Sequence, residues 1–162
     1  MPPASAVTDI EQLKERPTVA GLLAWRADAV QQARLEYDEL TIWIEPSAIR
    51  EACALLRDQL KFNFLSSITG VDWYPSRPRF EVVYHLLSIL RKERVRLKVR
   101  VDEKNAVDSV TSVWPAANLF EREVFDLFGV RFSGHPYLRR IMMPDDWEGH
   151  PLRKDYPVEG YR

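Results

Sequence analysis

Cysteine and glycine are both scarce in this sequence. Its 162 residues include one cysteine, Cys53, which cannot form an internal disulfide and supplies too few thiolates for an iron–sulfur cluster or a structural zinc site. Such a chain suits a reducing compartment. The six glycines form neither a Gly-x-Gly-x-x-Gly pattern nor a phosphate-binding loop, and no serine nucleophile elbow or His-Glu-x-x-His helix is present. The usual motifs of nucleotide-binding proteins, serine hydrolases and zinc proteases are therefore excluded.

Excess charge and long apolar runs are also missing. The 23 Lys and Arg residues nearly balance the 24 Asp and Glu residues, so the chain as a whole has no field that attracts nucleic acid or an anionic membrane. No stretch approaches the roughly 18 uninterrupted apolar residues of a membrane span, and residues 1–9 lack the basic and apolar regions of a signal peptide. We expect a cytosolic protein, or one held at a membrane by its partners.

Helical periodicity is clearest in the first and last thirds of the chain. Amphipathic patterns predict one helix from Pro17 and another from Pro46, and the apolar stripe of the second includes Cys53 as a buried thiol. A further helical stretch is expected to begin near Asp108. Pro115 then leads into a helix that ends at Gly129, a natural C-terminal stop.

The intervening segments predict strands. Alternating apolar residues in 31–45 indicate a hairpin with a turn at Asp38 and Glu39. Short turns join three later strands into an antiparallel meander. These strands are expected at residues 64–73, 80–90 and 94–101. The predicted fold class is α+β, with a largely antiparallel sheet packed with helices.

One face of the last meander strand is basic. Its four cations alternate with apolar residues and form either a solvated face or a surface for an acidic neighbour. A nucleic-acid surface would need a basic protein with interleaved exposed aromatics, which the sequence does not suggest. His85, on the preceding strand, is interpreted as a hydrogen-bonded core histidine. The four cations are Arg94, Arg96, Lys98 and Arg100.

The last thirty residues combine prolines with large apolar side chains. The prolines exclude a long helix or a central strand, while the apolar content is too high for disorder. We therefore divide the single domain into a core, residues 1–132, and an extended docking segment, residues 133–162, called the tail below. The tail either packs on its own domain only or also faces a partner. Its prolines are Pro136, Pro144, Pro151 and Pro157.

Carboxylates flank the apolar stripe of the helix that ends at Gly129. Glu121 and Glu123 lie on opposite sides of the stripe, and Arg122 and Asp126 are i, i+4 neighbours on the outer face. We expect Glu121 and Glu123 to clamp cations of the tail; a solvated charged helix and a paired-carboxylate catalyst are the other interpretations. The tail cations are Arg139, Arg140, Arg153 and Lys154.

The tail also contains residue types that bind metals. His135, Asp145, Asp146, Glu148 and His150 lie in a proline-broken loop rather than on adjacent turns of one helix. Such residues commonly build polar loops, so a bound metal is the less favoured interpretation.

Several motifs, most of them in the last third of the chain, resemble those of one known family. They are Glu121-Arg122-Glu123 followed by Asp126-Leu127-Phe128-Gly129, Gly134-His135-Pro136 with Leu138-Arg139-Arg140, Pro144-Asp145-Asp146-Trp147, and Pro151-Leu152-Arg153-Lys154-Asp155-Tyr156-Pro157. Over residues 30–157 the chain resembles the C subunit of respiratory complex I, the NADH:quinone oxidoreductase component known as the 30 kDa subunit.

The resemblance implies a non-catalytic subunit of the peripheral arm, on the cytoplasmic side of the membrane. Its partners would be the quinone-site D subunit and iron–sulfur subunits, which with FMN carry electrons from NADH to quinone in a proton-translocating complex. No cofactor is expected in this chain. Alternatives are an equivalent subunit of a membrane-bound hydrogenase or related dehydrogenase complex, or a free-standing metal-dependent enzyme. The residues expected at the tail clamp and partner interface are Glu121, Glu123, Asp126, His135, Arg139, Arg140, Trp147, His150, Arg153, Lys154, Asp155 and Tyr156.

Overall fold

The computed structural model describes residues 7–161 and confirms an α+β fold. The helices are α1 (Ile10–Leu13), α2 (Pro17–Arg26), α3 (Ile49–Asp58) and α4 (Ala117–Phe128). The strands are β1 (Val30–Glu36), β2 (Glu39–Ile44), β3 (Phe64–Asp72), β4 (Phe80–Ser88), β5 (Glu93–Val101), β6 (Ala106–Asp108) and β7 (Arg131–Ser133). Short 3-10 turns cover Ala27–Ala29 and Pro46–Ala48.

Strands β1 and β2 form the predicted hairpin, with its turn one residue earlier than expected. Tyr37 and Asp38 form the turn with φ angles of 51° and 62°, the left-handed backbone of two-residue hairpin loops. Glu39 is already the first residue of β2 and pairs with Glu36. The turn predicted at Asp38 and Glu39 is corrected accordingly.

The main sheet has five strands in the order β1-β2-β5-β4-β3. Strands β3, β4 and β5 form the antiparallel meander that the sequence predicts. The hairpin joins this meander through a parallel pairing of β2 with β5, in which Leu40 lies opposite Val95. The largely antiparallel sheet is confirmed, and β5 lies at its centre.

The hydrophobic core lies on one side of this sheet. Val95, Leu97, Val99 and Val101 of β5 are at most 3% exposed, whereas the alternating cations of β5 point to the other side, here called the open face. Apolar residues of α2, α3 and α4 join the same core cluster. Cys53 of α3 is fully buried there, and burial raises the pKa of its thiol, so it has the character of a structural residue.

The helical stretch predicted near Asp108 is wrong. Residues 106–108 form β6, which pairs in parallel with β7, and the Ser109 N–H extends this ladder by donating to the Ser133 carbonyl at 2.8 Å. Strands β6 and β7 have three residues each and are separated in the chain by α4. Strands this short show no periodicity in the sequence, so only the tertiary structure defines them.

Helix α4 ends as predicted at Gly129. This residue has a φ of 78° and donates its N–H to the Phe125 carbonyl at 2.8 Å. A Cβ at this position would overlap the side chains of His150 and Arg153. Glycine therefore both ends the helix and allows the tail to pack closely against that end.

Candidate functional site

The tail runs along α4 from the start of the helix to its end and then reaches β3. His135 lies near Asn118, at the beginning of the helix, and residues 141–143 contact Asp126 near its end. Residues 154 and 155 then contact the end of β3 and the connection to β4. The structure therefore places the predicted docking segment directly on its own domain.

Asp126 is the main anchor of the tail on α4. Its carboxylate is fully buried, and its Oδ2 atom accepts hydrogen bonds from the backbone N–H groups of Ile141, Met142 and Met143 at 2.9, 2.7 and 2.9 Å. The Arg140 guanidinium donates to Oδ1 at 2.5 Å. Burial alone would raise the pKa of Asp126, but these hydrogen bonds outweigh it and hold the pKa below its ordinary value.

A second anchor joins the end of the tail to the sheet. The buried Arg79 guanidinium donates to both oxygens of Asp72, at 2.9 and 2.8 Å, and to Asp155 of the tail at 2.9 Å. Glu103 is a further acceptor of Arg79, and the Lys154 N–H donates to Asp72 at 2.9 Å. Burial opposes the charge of Asp72, yet the bonds from Arg79 and the backbone lower its pKa to about 2.

The tail also satisfies the last carbonyl groups of α4, which have no partners within the helix. His150 Nδ1 donates to the Asp126 carbonyl at 2.8 Å, and the Leu152 N–H donates to the Leu127 carbonyl at 3.1 Å. Arg153 Nε donates to the Phe128 carbonyl at 2.6 Å. Cationic and N–H donors suit this end of a helix because its dipole is negative there.

The remaining arginines of the tail are directed toward the domain or toward the tail itself. Arg140 donates to the carbonyls of Trp147 and Gly149 at 2.8 and 2.9 Å, and Arg139 pairs with Asp145 at 2.9 Å. Arg122 of α4 donates to the carbonyls of residues 139 and 140 rather than to Asp126. The tail cations are thus largely used in internal contacts.

Exposed apolar side chains cover the outer surface of the tail. Trp147 is 39% exposed, Met142 is 62% exposed, and Lys154 is exposed as well. Tyr156 is half-buried; its hydroxyl donates to the Glu148 carbonyl, and its ring packs edge-on against Tyr161. The large exposed apolar residues of the tail are Tyr137, Ile141, Met142, Trp147, Leu152, Val158 and Tyr161.

The expectation that Glu121 and Glu123 clamp the tail is wrong. Glu121 is fully buried on the other flank of α4, where it accepts hydrogen bonds from the Ser109 hydroxyl and the Val110 N–H, both at 2.7 Å. Burial raises the pKa of Glu121 to about 7 despite these bonds. Glu123 is exposed, with no hydrogen bond or ion pair to any of residues 7–161. Of the three α4 carboxylates expected at the tail clamp, only Asp126 binds the tail within residues 7–161.

Both histidines of the tail are held by backbone groups. His135 Nδ1 accepts from the Tyr137 N–H at 3.0 Å, and its Nε2 donates to the Asn118 carbonyl at 3.2 Å. His150 Nδ1 is bound to the Asp126 carbonyl. Over the part of the chain that the structure describes, no group of three or more His, Cys, Asp or Glu side chains is arranged to hold a metal ion.

Sequence reasoning missed the anchor at Arg79. The Asp72-Trp73 pair stands out in the sequence only as part of a strand, and Arg79 follows a proline-rich turn in which an exposed side chain is the ordinary expectation. Nothing next to Arg79 in the sequence indicates that its side chain is buried, and its partner Asp155 is 76 residues away. Only the folded chain brings these charges together.

Known proteins are similar to this chain in sequence and in fold. Residues 42–162 match the family described as respiratory-chain NADH dehydrogenase, 30 Kd subunit, and the chain belongs to this family. The resemblance seen in the motifs is thus confirmed. No helix within residues 7–161 has the length and hydropathy needed to cross a membrane.

Several relatives carry the name of the C subunit of NADH-quinone oxidoreductase. The chain is 54% identical over 123 residues to the relative from Roseiflexus sp. (strain RS-1), and the match covers 74% of this chain and 71% of the relative. It is 49% identical over 148 residues to the relative from Roseiflexus castenholzii, covering 89% and 85%. A chain in the membrane-bound sulfane sulfur reductase, an archaeal respiratory membrane complex, shares 28% identity with a TM-score of 0.75, covering 90% of this chain and 86% of that one.

Proposed function

We propose that this chain is a structural subunit, without a cofactor of its own, in the peripheral arm of a proton-translocating NADH:quinone oxidoreductase. The subunit would lie on the cytoplasmic side of the membrane, next to the quinone-site D subunit and iron–sulfur subunits. FMN and the iron–sulfur clusters would reside in those partners and carry electrons from NADH to quinone. The names of relatives at about half identity support this assignment.

The tail is the main docking element in this proposal. One observation carries the idea: polar anchors hold the tail on α4 and β3, while seven of its large apolar side chains remain exposed. Exposed apolar side chains do not stabilise an isolated domain. In a subunit, the same side chains form a preorganised surface for binding a partner. A rigid scaffold of this kind keeps neighbouring redox centres at fixed separations, as electron transfer requires.

The docking role is tested by removing apolar contacts without touching the anchors. In the complete complex, M142S/W147S/L152S is expected to reduce co-purification of the D and iron–sulfur subunits by about tenfold or more, because central apolar contacts dominate interfaces. L90S is the control, since Leu90 is more exposed than any of the three residues and lies in the turn between β4 and β5. Unchanged assembly of the triple variant would refute the proposal for the tail.

A second candidate is the equivalent subunit of another membrane-bound respiratory complex. The likeness to a chain of the archaeal sulfane sulfur reductase favours it, although at the lower identity of 28%. The two are separated by purifying the complex through this chain and measuring quinone reduction with NADH. Bound FMN and NADH-dependent quinone reduction support the first candidate, and a complex that lacks both supports the second.

A further inference from the structure

The open face of the main sheet carries tryptophans and arginines. Trp43 of β2 and Trp73, which follows β3, lie on this side, and Trp73 is 41% exposed. The Lys98 ammonium lies 5.2 Å from the ring centroid of Trp43, and the Arg100 guanidinium lies 5.7 Å from that of Trp73. Tryptophan and arginine are the residue types most enriched at the energetic centres of protein interfaces.

A buried carboxylate fixes the central part of this surface. Glu81 of β4 is 1% exposed and accepts hydrogen bonds from Trp43 at 3.1 Å, Lys98 at 2.8 Å and Arg100 at 3.2 Å. Each cation is therefore held between a carboxylate and an aromatic ring. Side chains ordered in advance lose little conformational entropy when a partner docks.

The neighbouring cations on the open face differ in how well they are paired. Arg96 donates to His85 at 3.2 Å and also binds Glu39. Arg94 is exposed and forms no ion pair with any of the described residues 7–161. A depression of about 340 Å³ opens beside these arginines, between the ends of β2, β4 and β5.

The open face has an excess of positive charge. Its cations are Arg34, Arg94, Arg96, Lys98 and Arg100. Its carboxylates within the strands are Glu36, Glu39 and Glu81, while Glu45 and Asp102, which follow β2 and β5, lie beside Arg100. Among the strand residues the excess is two positive charges, which contrasts with the net charge of −1 of the whole chain. Of the two interpretations that the sequence left open, an acidic neighbour fits this composition better than a purely solvated face.

We propose that the open face is a second docking surface, which binds an acidic protein surface of another subunit in the same complex. The proposal rests on the membership in a respiratory complex proposed above, but not on the docking role of the tail. The partner supplies carboxylates to Arg94 and Arg100 and an apolar or aromatic contact to Trp73. If the tail also docks as proposed above, the chain bridges two neighbours, one at the tail and one at the sheet.

Charge reversal in the assembled complex tests this proposal. R94E and R94E/R100E are expected to weaken retention of one subunit, the double variant by about tenfold or more, because like charges then face each other across the interface. R50E is the matched control, since Arg50 is exposed and undergoes the same change of charge on α3, which packs on the core side of the sheet. Its retention is expected to stay within about twofold of the wild type. Arg94 has no carboxylate partner within residues 7–161, so R94E breaks no ion pair there and is expected to fold. The single variant therefore still tests the proposal if the double variant folds poorly.

Carbodiimide cross-linking gives an independent measurement, because it joins amines to carboxylates that are in contact. The R94K variant places an amine on the open face, and we expect a cross-link from residue 94 to an aspartate or glutamate of another subunit. Wild-type retention in R94E and R94E/R100E, or cross-links from residue 94 only within this chain, would overturn the proposal.

Other occupants of the open face give distinguishable results. Retention that nuclease abolishes identifies a nucleic acid, and binding of the isolated chain to vesicles of anionic phospholipid that R94E abolishes identifies a membrane. A dimer of the isolated chain that R94E dissociates identifies a second copy. Each of these results overturns the proposal. Normal assembly with an insensitive open face refutes only this inference, whereas failure of the wild-type chain to assemble refutes the proposed function.

Discussion

Both oxygens of the Asp155 carboxylate accept hydrogen bonds from the guanidinium of Arg79, at 2.9 and 2.5 Å, although Arg79 is 76 positions earlier in the chain. Asp72 holds the other side of the same guanidinium, so Arg79 links β3 to the end of the tail. Together with Asp126, this ion-pair cluster holds the tail by polar contacts and leaves most of its large apolar side chains exposed.

The R79A variant is expected to destabilise the protein by about 3–5 kcal/mol, because it leaves Asp72 buried without its cation. Denaturant unfolding measures this loss, and faster hydrogen exchange in residues 153–156 shows that the tail is released. R77A is the control, since Arg77 is largely exposed and pairs with Asp102 at the surface. A control of this kind changes stability by less than about 1 kcal/mol. Equal effects of R77A and R79A would contradict the role assigned to Arg79.

The D126A variant is expected to destabilise the protein by about 3–5 kcal/mol as well, because the half-buried Arg140 loses its carboxylate partner. Three backbone N–H groups also lose their acceptor. Limited proteolysis should then cut the tail near residues 141–143 while the sheet stays intact. In D145A, which removes an exposed partner of Arg139, the proteolysis pattern should match the wild type. Resistance of the D126A tail to proteolysis would show that other contacts hold it.

Acid is expected to release the tail below about pH 4. Hydrogen bonds with Arg79 lower the pKa of Asp155, and the pKa of Asp72 is about 2 although burial opposes its charge. A carboxyl with a lower pKa in the folded state stabilises it above the unfolded pKa, and this contribution is lost as the pH falls through the folded value. Trp147 fluorescence in a chain with its other tryptophans replaced by phenylalanine should follow the release. A transition centred above pH 6 would contradict this account.

The Glu121 carboxyl is expected to give a stability change of opposite sign. Burial raises its pKa from 4.5 to about 7, so the folded state binds the extra proton between these values, and stability falls as the pH rises through that range. E121Q should therefore gain about 1–3 kcal/mol relative to the wild type between pH 4.5 and pH 8. Denaturant unfolding across this range measures the difference. E123Q, at an exposed position, should follow the wild type at every pH, and an E121Q curve parallel to that of the wild type would disprove the assignment.

The elements that the sequence predicts correctly are those with a local signal. Val95, Leu97 and Val99 alternate with cations in β5, and Gly129 ends α4 with the backbone conformation that glycine favours. Such patterns depend only on residues that are close in the sequence, so the elements they predict do not depend on the tertiary structure. The docked tail was predictable for the same reason, because prolines and large apolar residues stand together in one segment.

The anchors of the tail were predictable only in part, since Asp126 and Asp155 were expected at the tail clamp but Arg79 was not. Helical periodicity placed Glu121 and Glu123 beside the apolar stripe, but it could not tell which flank of α4 meets the tail. The tertiary arrangement directs Glu121 to Ser109 and gives Asp126 to the tail. Strands β6 and β7 were missed for a related reason, since their pairing joins residues that are distant in the chain.

The parallel pairing of β2 with β5 has a consequence for synthesis of the chain. Trp43 of β2 lies opposite Lys98 of β5, which the ribosome adds about 55 residues later, or roughly 3–11 s at ordinary elongation rates. During that interval the inner edge of the nascent hairpin has no strand beside it. Unpaired strand edges associate readily with other chains. The early hairpin is therefore prone to aggregation during synthesis and is a suitable segment for a chaperone to bind.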